Sequence, residues 1–272
     1  MKKVRVEAST KKDRSCEIFG NPMSKKVIRK AQKSKQRNQK KYGDDSKVNY
    51  QCIIRENPCI GESLGVKNVV VTRKEGKGSF DEEKGVIVGN IRMGFGHYRI
   101  SMAIASAAHA LGYTPYWMDL NSYPETTCTK LISAQNELYS LGSRISQKSK
   151  LFNKFVWEPV NYEGFRQLSY NAADQKNAEL MAPVYHSVPK DIPVIATHVW
   201  PAQAAVHAGM KHVVNAIPDN WPMALHYAQG SLHTVQTHYA YQGYRIGNGM
   251  MKDKVVQAMP PQDLMYTGHY ID

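Results

Sequence analysis

The stretch GVIVGNIRMGFGHYRISMAIASAAHALGYTPYWMDL, residues 85–120, decides the fold class. It opens with a short apolar run, Gly85 to Ile91, of the kind that forms a strand covered on both faces. Gly94 and Gly96 then punctuate the chain, and from Arg99 onward Ile100, Ile104, Ala107, Ala108 and Leu111 recur at helical spacing until Gly112 supplies a stop. Tyr113 to Leu120 reads as a second strand. Strand, glycine turn, helix and strand make a βαβ unit, which requires parallel strands.

Working downstream, helices are expected at about 126–148 and 162–181, a strand over Ile192–His198, a helix from Pro201 and a strand over Lys211–Asp219. A strand near 232–236, a short helix from Tyr239 and a strand near 264–267 continue the alternation. The expected class is therefore α/β, an open parallel Rossmann-like sheet flanked by helices, over residues 85–272. In such sheets ligands bind beyond the carboxyl ends of the strands, here after Ile91, Met118, Ala196 and Ile217.

Working upstream, residues 48–84 read as a short β-rich segment and a linker. Residues 1–47 read as a basic flexible tail without ordered structure, because the run between Lys25 and Lys41 has almost no apolar side chains to repay the entropy of ordering. The formal net charge of +13 concentrates there: residues 1–50 hold 16 Lys or Arg against 5 Asp or Glu, whereas the other 222 residues hold 20 against 18. Such a tail either docks on an anionic membrane face or is a solvated leader. Nucleic acid is the weakest partner, since no aromatic residue is interleaved to stack on bases.

The 272 residues allow one sizeable domain with an appendage, or at most two small domains. No run approaches the roughly 18 apolar residues of a membrane span, and no signal-peptide pattern follows the N-terminus, so a cytoplasmic protein, peripheral at most on the inner membrane face, is expected. Cys16, Cys52, Cys59 and Cys128 read as free thiols. The histidines show no metal-ligand spacing, and no metal or cofactor is expected. Arg99 occupies the place of the third glycine of a dinucleotide fingerprint, and the P-loop lysine is absent, which disfavours nicotinamide and ATP. Gly61–Gly65, GESLG, matches a nucleophile elbow in letters but precedes a strand, where the elbow must follow one.

His97 starts the helix after the first domain strand, where the positive end of the helix dipole keeps imidazole neutral and able to take a proton. It is either a general base or a structural cap. Gly94, Phe95, Gly96 and Arg99 surround it. His198 and Trp200 follow one later strand, and Asp219 and Trp221 follow the next, each pairing a hydrogen-bonding group with an indole. These groups either bind a sugar or lipid headgroup or close the rim of the core. Asp119 is read as a cap.

In order, GFGHYRIS, MDL, ATH, IPDNW and YTGHYID resemble the N-terminal half of monogalactosyldiacylglycerol synthase-type glycosyltransferases over about residues 85–272. The resemblance implies a GT-B architecture, with His97 as the base that deprotonates the acceptor hydroxyl. Gly94, Phe95, Gly96, Arg99, His198, Trp200, Asp219 and Trp221 would lie on the acceptor side. Pro218 stands where that family has threonine. The resemblance also implies that a nucleotide-sugar, UDP-linked in that family, binds a donor domain lying outside this sequence. The expected function is the acceptor-binding half of a transferase moving sugar to a lipid or other hydroxyl. A non-catalytic module docked through its tail on anionic membrane or nucleic acid, and half of a sugar-nucleotide epimerase, are the alternatives.

Overall fold

The apolar run beginning at Gly85 is the centre of the molecule: a computed structural model, which describes residues 13–76, 78–247, 250–251 and 254–271, buries all six residues of Gly85–Asn90. In chain order the described elements begin with a small hairpin, β1 (Glu17–Ile18) and β2 (Asn21–Pro22), and helix α1 (Lys25–Tyr42). β3 (Gln51–Glu56), α2 (Gly61–Leu64), β4 (Lys67–Thr72), β5 (Gly85–Asn90), α3 (Phe95–Ala110) and β6 (Thr114–Asp119) follow. Next come α4 (Thr127–Lys148), α5 (Lys150–Phe152), two π-helical turns (Asn153–Trp157 and Pro159–Gly164) and α6 (Leu168–Ala178). The chain continues through β7 (Val194–Ala196), α7 (Val199–His207), β8 (Val213–Ala216), β9 (Leu232–Val235), α8 (His238–Ile246) and β10 (Leu264–Tyr266).

Eight strands form one sheet in the order β10-β9-β8-β7-β5-β6-β4-β3, parallel throughout except where β3 pairs antiparallel with β4 at the edge. The fold is α/β and Rossmann-like, as the sequence implies. Because side chains alternate along a strand, Ile87 enters the large core built with α4 and α7, and Val88 enters a smaller one with Ala105 of α3 and Trp117. β3 and β4, expected as a separate segment, extend the main sheet through the β4–β6 pairing.

The tail requires a correction. Residues 1–12 lie outside the described residues, but Lys25–Tyr42, expected without ordered structure, is an 18-residue helix capped by Ser24 and closed by Gly43. Only Ala31 of α1 is buried, so apolar content gave no signal. The helix is seated on α6 by polar groups instead: Lys35 pairs with Glu179 at 2.5 Å, and Asn38 Nδ2 donates to Asn177 Oδ1 at 3.0 Å. Val27 and Ile28 add apolar contact, and eight of its nine basic side chains remain exposed. Among the described residues no helix is long and apolar enough to cross a membrane.

Candidate functional site

The connection leaving β5 runs through α3 to β6 on one side, and the chain then returns to β7 on the other, so the switch in strand order falls between β5 and β7. The carboxyl ends of these two strands deliver His97 and His198 to the same place. Gly94, at φ 86°, turns the chain into α3 and leaves the first helical turn without a side-chain cap. Neither Gly94 nor Gly96 would set a Cβ within 4 Å of another atom, so the space above the turn is open.

His97 Nδ1 lies 2.7 Å from the carbonyl oxygen of Thr197. A carbonyl can only accept, so Nδ1 carries the hydrogen and Nε2 holds the free lone pair. Ser101 Oγ bonds back to the His97 carbonyl at 2.9 Å and meets Thr197 Oγ1 at 2.9 Å, which ties the first turn of α3 to the end of β7. Burial pushes the His97 pKa below the ordinary histidine value; the Thr197 carbonyl and the charge of Asp219 oppose that push. The neutrality expected from the helix dipole thus has burial as its main cause.

His198 packs its ring 5.0 Å from that of His97, edge to face, and 4.7 Å from the Trp200 indole. It caps α7 by accepting the Trp200 backbone N–H at Nδ1, 3.2 Å away, so in the neutral ring Nε2 bears the hydrogen. Burial holds its pKa well below the ordinary value. The two imidazoles are therefore complementary, one with a bare nitrogen and one with an N–H. Asp219 follows β8, half exposed, with Oδ2 3.2 Å from His226 Nε2, and that contact keeps its carboxyl below the usual range.

Other residues singled out from the sequence fall less centrally. Phe95 is 86% exposed, and Arg99, two residues and about 200° around the helix from His97, is exposed on the far side. Trp221 is half-buried between Tyr162 and Tyr239, with the Arg166 guanidinium 5.5 Å from its ring. Asp119 binds Arg92 at 2.8 Å and the Asn121 N–H, the capping role expected of it.

Sequence reasoning missed three features. Asn90, the last residue of β5, is wholly buried, and among the described residues neither its amide nitrogen nor its oxygen has a partner. His226 escaped because it follows a loop rather than a strand. The largest omission is a cavity of about 560 Å³ walled by α1, α4, the π-helical turns and α6, with His198 and Trp200 at its inner end. Leu131, Leu138, Trp157, Val160 and Phe165 give it an apolar lining, and the exposed Arg37 and Lys41 stand at its rim. Trp157 can form this wall because α4 carries Gly142: a Cβ there would lie 2.2 Å from the indole. A mid-helix glycine, ordinarily unfavourable by about 1 kcal/mol, is the sequence signal of that close approach. No three His, Cys, Asp or Glu side chains converge as a metal set among the described residues.

Residues 17–246 match the family model described as Domain of unknown function (DUF6937). No curated protein and no solved structure matches the chain.

Proposed function

We propose that this chain, a member of the DUF6937 family, is the acceptor-binding half of a glycosyltransferase that moves a sugar from a nucleotide-sugar to a hydroxyl of an amphiphilic lipid. The observation that carries this reading is the fixed tautomer of His97 at the strand-order switch, where its ring packs against His198, itself a lining residue of the apolar cavity. A neutral imidazole with a bare Nε2 suits a general base, and a cavity of this size and lining suits an acyl or alkyl chain.

In the proposed reaction the acceptor O–H gives its proton to His97 Nε2 while its oxygen forms a bond to the anomeric carbon. The bond from that carbon to the nucleoside diphosphate breaks, and the diphosphate leaves with the electron pair. His198 Nε2–H orients the acceptor oxygen, and the Thr197 carbonyl and the Asp219 carboxylate favour the imidazolium as it forms. The donor is held by a separate domain.

The surface around the cavity supports a membrane-borne acceptor. Leu138, Leu151 and Phe155 are 70%, 72% and 68% exposed, and Arg144, Lys148, Lys150 and Lys154 are interleaved with them. Arg37 and Lys41 of α1 line the same cavity as Leu138, and these side chains suit the interface of an anionic bilayer. Sedimentation with anionic vesicles should be lost on replacing both Leu151 and Phe155 by Asp.

Fused to a UDP-sugar-binding domain of the same architecture, the chain should transfer hexose to diacylglycerol in vesicles. His97→Ala should then lower turnover by about 10²–10⁴ while vesicle binding persists. Unchanged turnover in that variant removes His97 from the mechanism. Persistent lipid binding with no transfer by either protein favours the non-catalytic module.

A further inference from the structure

The apolar cavity contains a carboxyl group, that of Asp174, which the proposed chemistry leaves unused. Tyr170, Ala173, Asp174 and Asn177 recur at helical spacing and present one face of α6 to the cavity. Asp174 is only 6% exposed, and its Oδ2 accepts a long hydrogen bond from the Trp200 indole N–H at 3.3 Å. Among the described residues it has no ion-pair partner. Lys176, on the same helix, is taken by Asp13 at 2.9 Å and Glu179 at 2.8 Å. His198, which shares the inner end of the cavity, is kept neutral by burial and supplies no counter-charge. Arg37 and Lys41 stand exposed at the rim.

A carboxyl group in such surroundings is costly to ionise, and burial pushes its pKa up to about 7. A neutral lipid would leave that cost in place. A cation would remove it, and the same cavity is lined by Tyr42, Tyr139, Trp157, Phe165, Tyr170 and Trp200, whose ring faces attract positive charge.

We propose that the cavity binds a long-chain amine, with the ammonium paired to Asp174 beside Trp200 and the hydrocarbon running outward between α1 and α4. The geometry gives both ends a place: the polar end at the floor near His198, the apolar end along Leu131, Leu138 and Val160 toward the exposed surface of α4 and the π-helical turns. Combined with the proposed function, on which this clause alone rests, the acceptor becomes a long-chain amino alcohol whose hydroxyl faces His97.

The test compares decylamine with decanol on the intact chain, below their aggregation concentrations, by quenching of tryptophan fluorescence. Decylamine should bind at least about tenfold more tightly than decanol, the gain of one charge-assisted hydrogen bond in a buried site. Asp174→Asn should abolish the preference and leave decanol binding unchanged. His97→Ala should keep the amine preference, so loss of transfer in that variant speaks only to the proposed function. Equal binding of amine and alcohol by the unsubstituted chain overturns the inference without any variant, as does a preference that survives Asp174→Asn.

Discussion

His233 and His97 are both histidines of the central sheet or its carboxyl-end turns, and burial keeps both neutral. His233 is wholly buried in β9 near Phe19 and Tyr227, and its pKa is pushed down to about 4. Its Nε2 accepts the Ala228 N–H at 2.9 Å, and its Nδ1 faces the Asp263 carbonyl at 3.0 Å. Both nitrogens are spent on backbone. His97 spends only one, and its Nε2 has no protein partner among the described residues. A depressed pKa therefore does not identify a site, because desolvation acts on both rings. The unspent nitrogen, beside a second imidazole and a cavity, is what distinguishes them.

The sharpest way to break this comparison is to remove each ring and read both activity and stability. His97→Ala is expected to lower transfer by about 10²–10⁴ with a change in unfolding free energy within about 1 kcal/mol. His233→Ala should reverse the pattern. It orphans a buried N–H and leaves a hole, for a loss of roughly 3 kcal/mol in denaturant unfolding. His233 also takes up its proton in the folded chain only near pH 4, below the unfolded value of about 6.5. Its contribution is therefore complete above pH 6.5 and lost as the pH falls toward 4, a slope that His233→Gln should reduce. The smallest effect is expected at Arg99, which faces away from His97: Arg99→Ala should change turnover by less than about twofold. A large loss there would move the site to the outer side of α3.

A contrast between β5 and α1 explains what was legible from the sequence. β5 is buried along its whole length, so its apolar run was continuous, and the glycine turn and alanine-rich helix that follow fixed the βαβ unit. His97 could be placed because it opens the helix after the glycine turn that follows β5, and His198 because it stands two residues past β7. α1 could not, because it docks through Lys35, Asn38 and Ser34 rather than through an apolar stripe. The π-helical turns gave no periodic signal: their bonds, such as Phe165 N–H to the Val160 carbonyl at 3.1 Å, span five residues, and Pro159 interrupts the α-helical pattern. The cavity they complete was hidden with them. Gly142 was visible, but its meaning depends on Trp157, which lies fifteen positions later and one helical bend away.

The central claim is that His97 is neutral at physiological pH with its hydrogen on Nδ1 and its lone pair on Nε2. Nitrogen-15 NMR of the histidine-labelled chain, titrated from pH 8 to 4 and assigned with His97→Gln, reads this state directly. The account predicts the Nδ1–H tautomer at pH 7, with protonation only below the ordinary histidine value. A ring carrying its hydrogen on Nε2, or already an imidazolium at pH 7, would contradict it.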